Sequence, residues 1–124
     1  MKAIVSYSSA GTSSQTFQDF SEAQLVFVQG GAGPSCVVVR FSAEAGASLS
    51  PNAVVVRARL DSVTSAVPDG VVFGVSEDYQ VARSYEFIFP NVAPGRHVVK
   101  MQFRSANGGT VFIGIHSTIV LHTP

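Results

Sequence analysis

Along almost the whole chain apolar residues recur at every second position, and Gly, Pro or Asn breaks the run before a helical repeat can establish itself. Val37, Val39, Phe41 and Ala43 alternate with Val38, Arg40 and Ser42; Val54, Val56, Ala58 and Leu60 alternate with Val55, Arg57 and Arg59. Val99, Met101 and Phe103 alternate with Lys100, Gln102 and Arg104. Residues two apart share one face of an extended strand, so these segments bury one side and leave the other outside. Only Ser14–Phe20 offers an alternative, as one helical turn or an edge strand.

Turn chemistry separates the strands. Gly30-Gly31-Ala32-Gly33-Pro34 is a strong breaker, Pro68-Asp69-Gly70 and Pro94-Gly95 are turn sequences, and Asn107-Gly108-Gly109 predicts a tight hairpin. Eight to ten short strands in 124 residues make one all-β domain over residues 1–124, with 1–20 as an N-terminal arm or edge strand. The loops are long enough to cross between sheets, so a two-sheet antiparallel β-sandwich fits better than a small barrel.

Charge narrows the partners. Eight basic and eight acidic residues cancel, and only 13% of residues are charged. A nucleic-acid binder needs a basic excess to hold phosphates, so none is expected as a partner. Hydrophobic content of 46% argues against disorder. Nothing approaches the roughly 18–20 apolar residues that span a bilayer, and the Lys2–Tyr7 segment turns polar too quickly for a signal peptide. The expectation is a protein beginning at Met1, made in a cytoplasm and not inserted in a membrane. The single cysteine, Cys36, lies in an apolar run and reads as a buried, inert thiol.

Catalytic chemistry finds no anchor. His97, His116 and His122 share no metal-ligand spacing, so no metal site is expected; His97 reads as a core or sheet-edge residue. Glu77-Asp78 is the one adjacent acidic pair, in a loop, and nothing selects a working pair from Asp61, Asp69, Glu77, Asp78 and Glu86. No nucleophile elbow occurs, and the glycines at 30–33 are followed by Pro34 and a β-branched run, not by the helix a phosphate cradle needs. The chain reads as no enzyme, with no cofactor.

What remains is surface. Arg40, Arg57 and Arg59 sit at outward positions and read as one face, either simply solvated or used for recognition or subunit contact, a pattern Lys100 and Arg104 repeat. Several strands are apolar on both faces, so Val38, Val55 and Phe112 are outward apolar residues, to be covered by loops or by another subunit. The rival use of such a domain is carbohydrate binding. With no Trp and three Tyr, only Tyr79 and Tyr85 serve as stacking platforms for a glycan.

The segment Pro94-Gly95-Arg96-His97-Val98-Val99-Lys100-Met101-Gln102-Phe103-Arg104, with Asn107-Gly108-Gly109-Thr110-Val111 and a closing strand, resembles the C-terminal part of small bacterial and phage jelly-roll domains. Val38-Val39-Arg40-Phe41-Ser42-Ala43 is similar to their central strand. The resemblance implies a jelly roll, often trimeric, of the kind used on virion surfaces, in tail or fibre modules and in bacterial surface proteins. It carries over no catalytic residue. Compared with jelly rolls of the tumour-necrosis-factor and complement-C1q kinds, the chain shows no collagenous or signal region, which speaks against an extracellular-ligand role. The resulting expectation is a virion protein, a capsid decoration or minor capsid protein, that forms a homo-oligomer or joins a capsid lattice. A bacterial cytoplasmic or cell-surface protein is the alternative.

Overall fold

In a computed structural model, residues 1–6, 9–48, 51–75 and 81–124 are described. Nine strands occur among them: β1 (Lys2–Ser6), β2 (Ala10–Thr12), β3 (Gln18–Gln29), β4 (Ser35–Ala47), β5 (Ala53–Leu60), β6 (Thr64–Val75), β7 (Val81–Val92), β8 (Gly95–Ser105) and β9 (Val111–Leu121). Sheet A runs β1-β9-β4-β7, with β2 also on β9; sheet B runs β3-β8-β5-β6. Every pairing is antiparallel.

The pairs nest. β5 and β6 form the innermost hairpin, β4 pairs with β7 outside it, β3 with β8 outside that, and β1 and β2 close on β9. Successive pairs fall alternately in sheet B and sheet A. A long folded ribbon rolled in this way is a jelly roll, an all-β antiparallel sandwich.

Alternation supplies the core. Val37, Val39, Phe41, Ala43 and Ala45 of β4 are buried, facing Val54, Val56, Ala58, Met101 and Phe103 of sheet B. Aromatic rings bridge the sheets: Phe41 of β4 meets Phe73 of β6 at 5.4 Å between centroids and Phe20 of β3 at 6.4 Å, edge-on. Such tilted contacts stabilise the core beyond simple area burial. At one corner the sheets come too close for a side chain. A Cβ on Gly74 would stand 2.8 Å from the carbonyl oxygen of Ala45.

Two turn assignments change. Asn107–Gly109 does not close a hairpin; it carries the chain from β8 in sheet B to β9 in sheet A. The crossing is held from inside. The side-chain oxygen of buried Asn52 accepts from the amides of Ala53 (2.9 Å) and Asn107 (3.2 Å), while the Ser105 hydroxyl lies 2.6 Å from the Gly109 carbonyl. Pro68-Asp69-Gly70 lies within β6, where the register against β5 shifts between Val56 and Ala58. The actual β5–β6 turn lies at Asp61 and Ser62, both with positive φ although neither is glycine. Asp tolerates that conformation because its short side chain bonds locally; here Asp61 accepts the Val98 amide at 2.8 Å. Ser14–Phe20 forms no helix, and β3 begins at Gln18.

Candidate functional site

The sandwich presents two outer sheet faces, and the contact residues expected from sequence divide between them. Val38, Arg40 and Phe112 lie on the outside of sheet A; Val55, Arg57 and Arg59 lie on the outside of sheet B. The single face uniting Arg40 with Arg57 and Arg59 is therefore corrected. β4 and β5 are consecutive in sequence but belong to different sheets, so their outward residues point in opposite directions.

On sheet A, cross-strand register builds rows. Leu121, Val38 and Ile88 lie side by side across β9, β4 and β7. Ile88 is 56% exposed and Val38 is half-buried. The next row is Ile119, Arg40 and Glu86, in which Nε and Nη2 of Arg40 donate to Oε1 of Glu86 at 3.0 and 2.6 Å. Ser117, Ser42 and Ser84 follow, with the Ser42 and Ser84 hydroxyls 2.9 Å apart. These small side chains floor an open trough of about 590 Å³, bordered by Val5, Glu44 and Ile115. Phe112 is half-buried at the β2 end of the face, opposite Gly11. Sequence reasoning missed Ile88 and Leu121, because alternation alone does not reveal which outward residues become cross-strand neighbours.

Sheet B is dressed differently. Val55 points outward but is only 6% exposed, in keeping with the first of its two expected covers, loops or another subunit. Its cover comes from within the chain. A Cβ on Gly70, in the β6 irregularity, would lie 2.5 Å from Cγ1 of Val55 and 3.0 Å from Cζ of Phe17. The Phe17 ring rests on this face with the guanidinium carbon of Arg57 4.0 Å from its centroid and that of Arg104 at 5.2 Å. Cation–π attraction of this kind holds the guanidinium groups in place.

The remaining candidates are distributed as follows. Tyr85 is 41% exposed on the inward side of β7, opposite Phe41, and leans on Phe87 at 4.9 Å with a 60° tilt. Tyr79, with Glu77 and Asp78, lies outside the described residues. Cys36 is exposed, correcting its reading as a buried thiol: β4 alternates with Val37 and Val39 buried, so Cys36 falls on the outward side with Val38.

Histidines divide in character. His97 places Nδ1 2.6 Å from Asp61 Oδ2 and Nε2 2.7 Å from the Ala93 carbonyl. Partial burial opposes its charge, but the hydrogen bonds to Asp61 and Ala93 and the charge of Asp61 outweigh it and raise the pKa. Both ring nitrogens are engaged, so this imidazole has none left to act as a base. His116 is 2% exposed between Phe20 and Phe41, and neither nitrogen has a hydrogen-bond partner. Burial lowers its pKa, against a smaller opposing pull from Glu22. Among the described residues no group of three or more His, Cys, Asp or Glu side chains could hold a metal ion, and no helix is long and apolar enough to cross a membrane.

No protein-family model matches the chain, and no curated protein matches its sequence. Solved structures match its fold. A family GH115 4-O-methyl-α-glucuronidase with specificity for decorated arabinogalactans aligns with 99% of this chain at a TM-score of 0.56 and 9% identity. A structure of the T13 IBDV viral particle aligns with 98% of it at a TM-score of 0.54 and 8% identity. This chain spans only 16% and 30% of those two chains. A family 35 carbohydrate binding module from Clostridium thermocellum aligns over 98% of this chain and 88% of its own at a TM-score of 0.49 and 14% identity. Identities this low speak to fold alone, and the two likenesses above a TM-score of 0.5 agree with the antiparallel β-sandwich described above.

Proposed function

We propose that this chain is a non-enzymatic assembly protein of the phage-virion kind, a capsid decoration or minor capsid protein. In this reading it binds copies of itself, with a trimer favoured, and docks on a capsid lattice. It uses no cofactor. The observation that carries the reading is the Leu121–Val38–Ile88 row on the outside of sheet A. An apolar row continuous across strands gains free energy when a partner removes it from water, about 25 cal/mol per Å². The adjoining Arg40–Glu86 pair supplies both signs of charge on the same face, which suits a contact between copies. The likeness to a protein of the IBDV particle agrees with this reading at the level of fold only.

Hydrogen exchange at low and high protein concentration tests it. Amides of β7 and β9 flanking Ile88 and Leu121 should gain protection as concentration rises. The glycan-binding alternative predicts no such gain and, instead, slowed exchange near Tyr85 when a bound oligosaccharide is found by screening; a Tyr85→Ala change would then abolish binding without unfolding the domain.

A further inference from the structure

The formal net charge is zero, yet the cations are not evenly spread. Arg57 and Arg59 of β5 and Arg96, Lys100 and Arg104 of β8 all occupy outward positions on sheet B, five of the eight Lys and Arg residues. Register places Arg59 beside Lys100, Arg57 beside Gln102 and Val55 beside Arg104. Three carboxylates among the described residues share the region: Asp61, which accepts the Val98 amide and feels the charge of Arg96, and two more. Asp19, at the β3 side, accepts from Gln102 at 2.7 Å and stands 4.0 Å from Lys100; Asp69 is exposed in the β6 irregularity. Cation repulsion is felt within the cluster: burial, then the charges of Arg59 and Arg104, lower the pKa of Arg57.

These side chains are also positioned in advance. Arg57 Nε donates to Gln102 Oε1 at 2.8 Å and Nη1 to the Pro68 carbonyl at 3.1 Å, Arg59 donates to the Ser62 carbonyl, and Phe17 lies against Arg57 and Arg104. Holding the guanidinium groups beforehand lowers the ordering cost of binding. Apolar residues border the cluster on both sides: Val26 and Val28 on β3, the latter 61% exposed, and Val72 on β6. Arginines among exposed apolar side chains are characteristic of a protein–protein contact. Single-stranded nucleic acids instead favour a grooved basic track with stacking aromatics, and the Phe17 ring is already occupied by guanidinium groups.

We propose that the outer face of sheet B docks a protein partner presenting carboxylates along an extended segment. Alternate residues of such a segment repeat about every 6.5–7 Å, which matches the interval between Arg57 and Arg59 on β5. The carboxylates meet Arg57, Arg59, Lys100 and Arg104, and the apolar residues between them meet the valines. This assignment goes beyond the assembly reading, which uses sheet A, and does not depend on it.

The test is fluorescence anisotropy with a fluorescein-labelled peptide alternating Glu and Thr, at low ionic strength, with a duplex oligonucleotide as competitor. The Arg59→Gln/Lys100→Gln/Arg104→Gln variant should lose about tenfold or more in affinity. A Lys2→Gln/Arg83→Gln control, whose changes lie on β1 and β7 of sheet A, should stay within about twofold of the parent. Lys100→Gln alone, expected to weaken binding about threefold, keeps the test readable if the triple variant does not fold. The proposal is overturned if the Glu peptide fails to bind, if the control weakens as much as the sheet B variant, or if the oligonucleotide displaces the peptide at lower concentration than unlabelled peptide does.

Discussion

Asp61 and His97 join the two turns at one end of the sandwich, with Oδ2 of one 2.6 Å from Nδ1 of the other. Asp61 ends the β5 strand in a left-handed conformation, and its second carboxylate oxygen receives the Val98 amide. His97 passes the connection on to the Ala93 carbonyl before β8. One ion pair thus ties the β5–β6 turn to the β7–β8 turn. Hydrogen bonds to charged groups outweigh neutral ones, although partial exposure of Asp61 screens the pair.

Asp61→Asn is therefore expected to lower stability by about 1–2 kcal/mol. The His97 pKa lies above its ordinary 6.5, so its contribution is complete below that pH and is lost as pH rises through the folded value. Denaturant melts of His97→Gln across neutral to alkaline pH should lack the decline seen in the parent. An unchanged decline would show that the pair contributes nothing.

His116 works in the opposite direction. Its folded pKa lies below 6.5, so the neutral ring is fully compatible with the core above that pH, and stability is lost as pH falls towards the folded value. His116→Leu removes a buried ring with two unpartnered nitrogens. It should flatten the acid limb of the stability profile and be relatively more stable at mildly acidic than at alkaline pH. Equal effects at both pH values would contradict a buried neutral imidazole.

Gly74→Ala forces a methyl group against the Ala45 carbonyl, where backbone from the other sheet leaves no room. The expected cost is about 1–3 kcal/mol, read by thermal or urea unfolding. Gly70→Ala should cost at least as much, since it combines a φ of 82° with crowding against Val55. A loss below about 0.5 kcal/mol at either position would mean that the sheets part easily.

Phe17→Ala should destabilise the fold by about 1–2 kcal/mol and uncover Val55. It should also weaken the Glu-peptide interaction without removing a charge, because Arg57 and Arg104 lose the ring that orders them. Unaltered stability and peptide affinity would separate Phe17 from both roles.

Strand periodicity made the class of fold legible, since a residue such as Phe41 is buried by the same alternation that turns Arg40 outward. Nesting of the pairs was not legible. Asn107-Gly108-Gly109 has hairpin chemistry, yet the partner choice of β8 and β9 depends on long-range packing and on Asn52, far away in sequence. The β5–β6 turn escaped notice because Asp61 and Ser62 take a left-handed conformation without glycine. Because β4 and β5 follow one another in sequence but fall in different sheets, Arg40 read as a companion of Arg57 and Arg59, and the neutral overall charge concealed the cations gathered on sheet B. Cys36 belongs to an apolar run, yet the same alternation that buries Val37 and Val39 turns it outward.

Light scattering over a wide concentration range, with the parent and an Ile88→Glu variant side by side, tests the central claim most directly. A stable oligomer in the parent that dissociates to monomer in the variant is the predicted result, because the new carboxylate would sit in the Leu121–Val38–Ile88 row. A parent that is monomeric at every concentration, or an oligomer indifferent to Ile88→Glu, would contradict assembly through the outer face of sheet A.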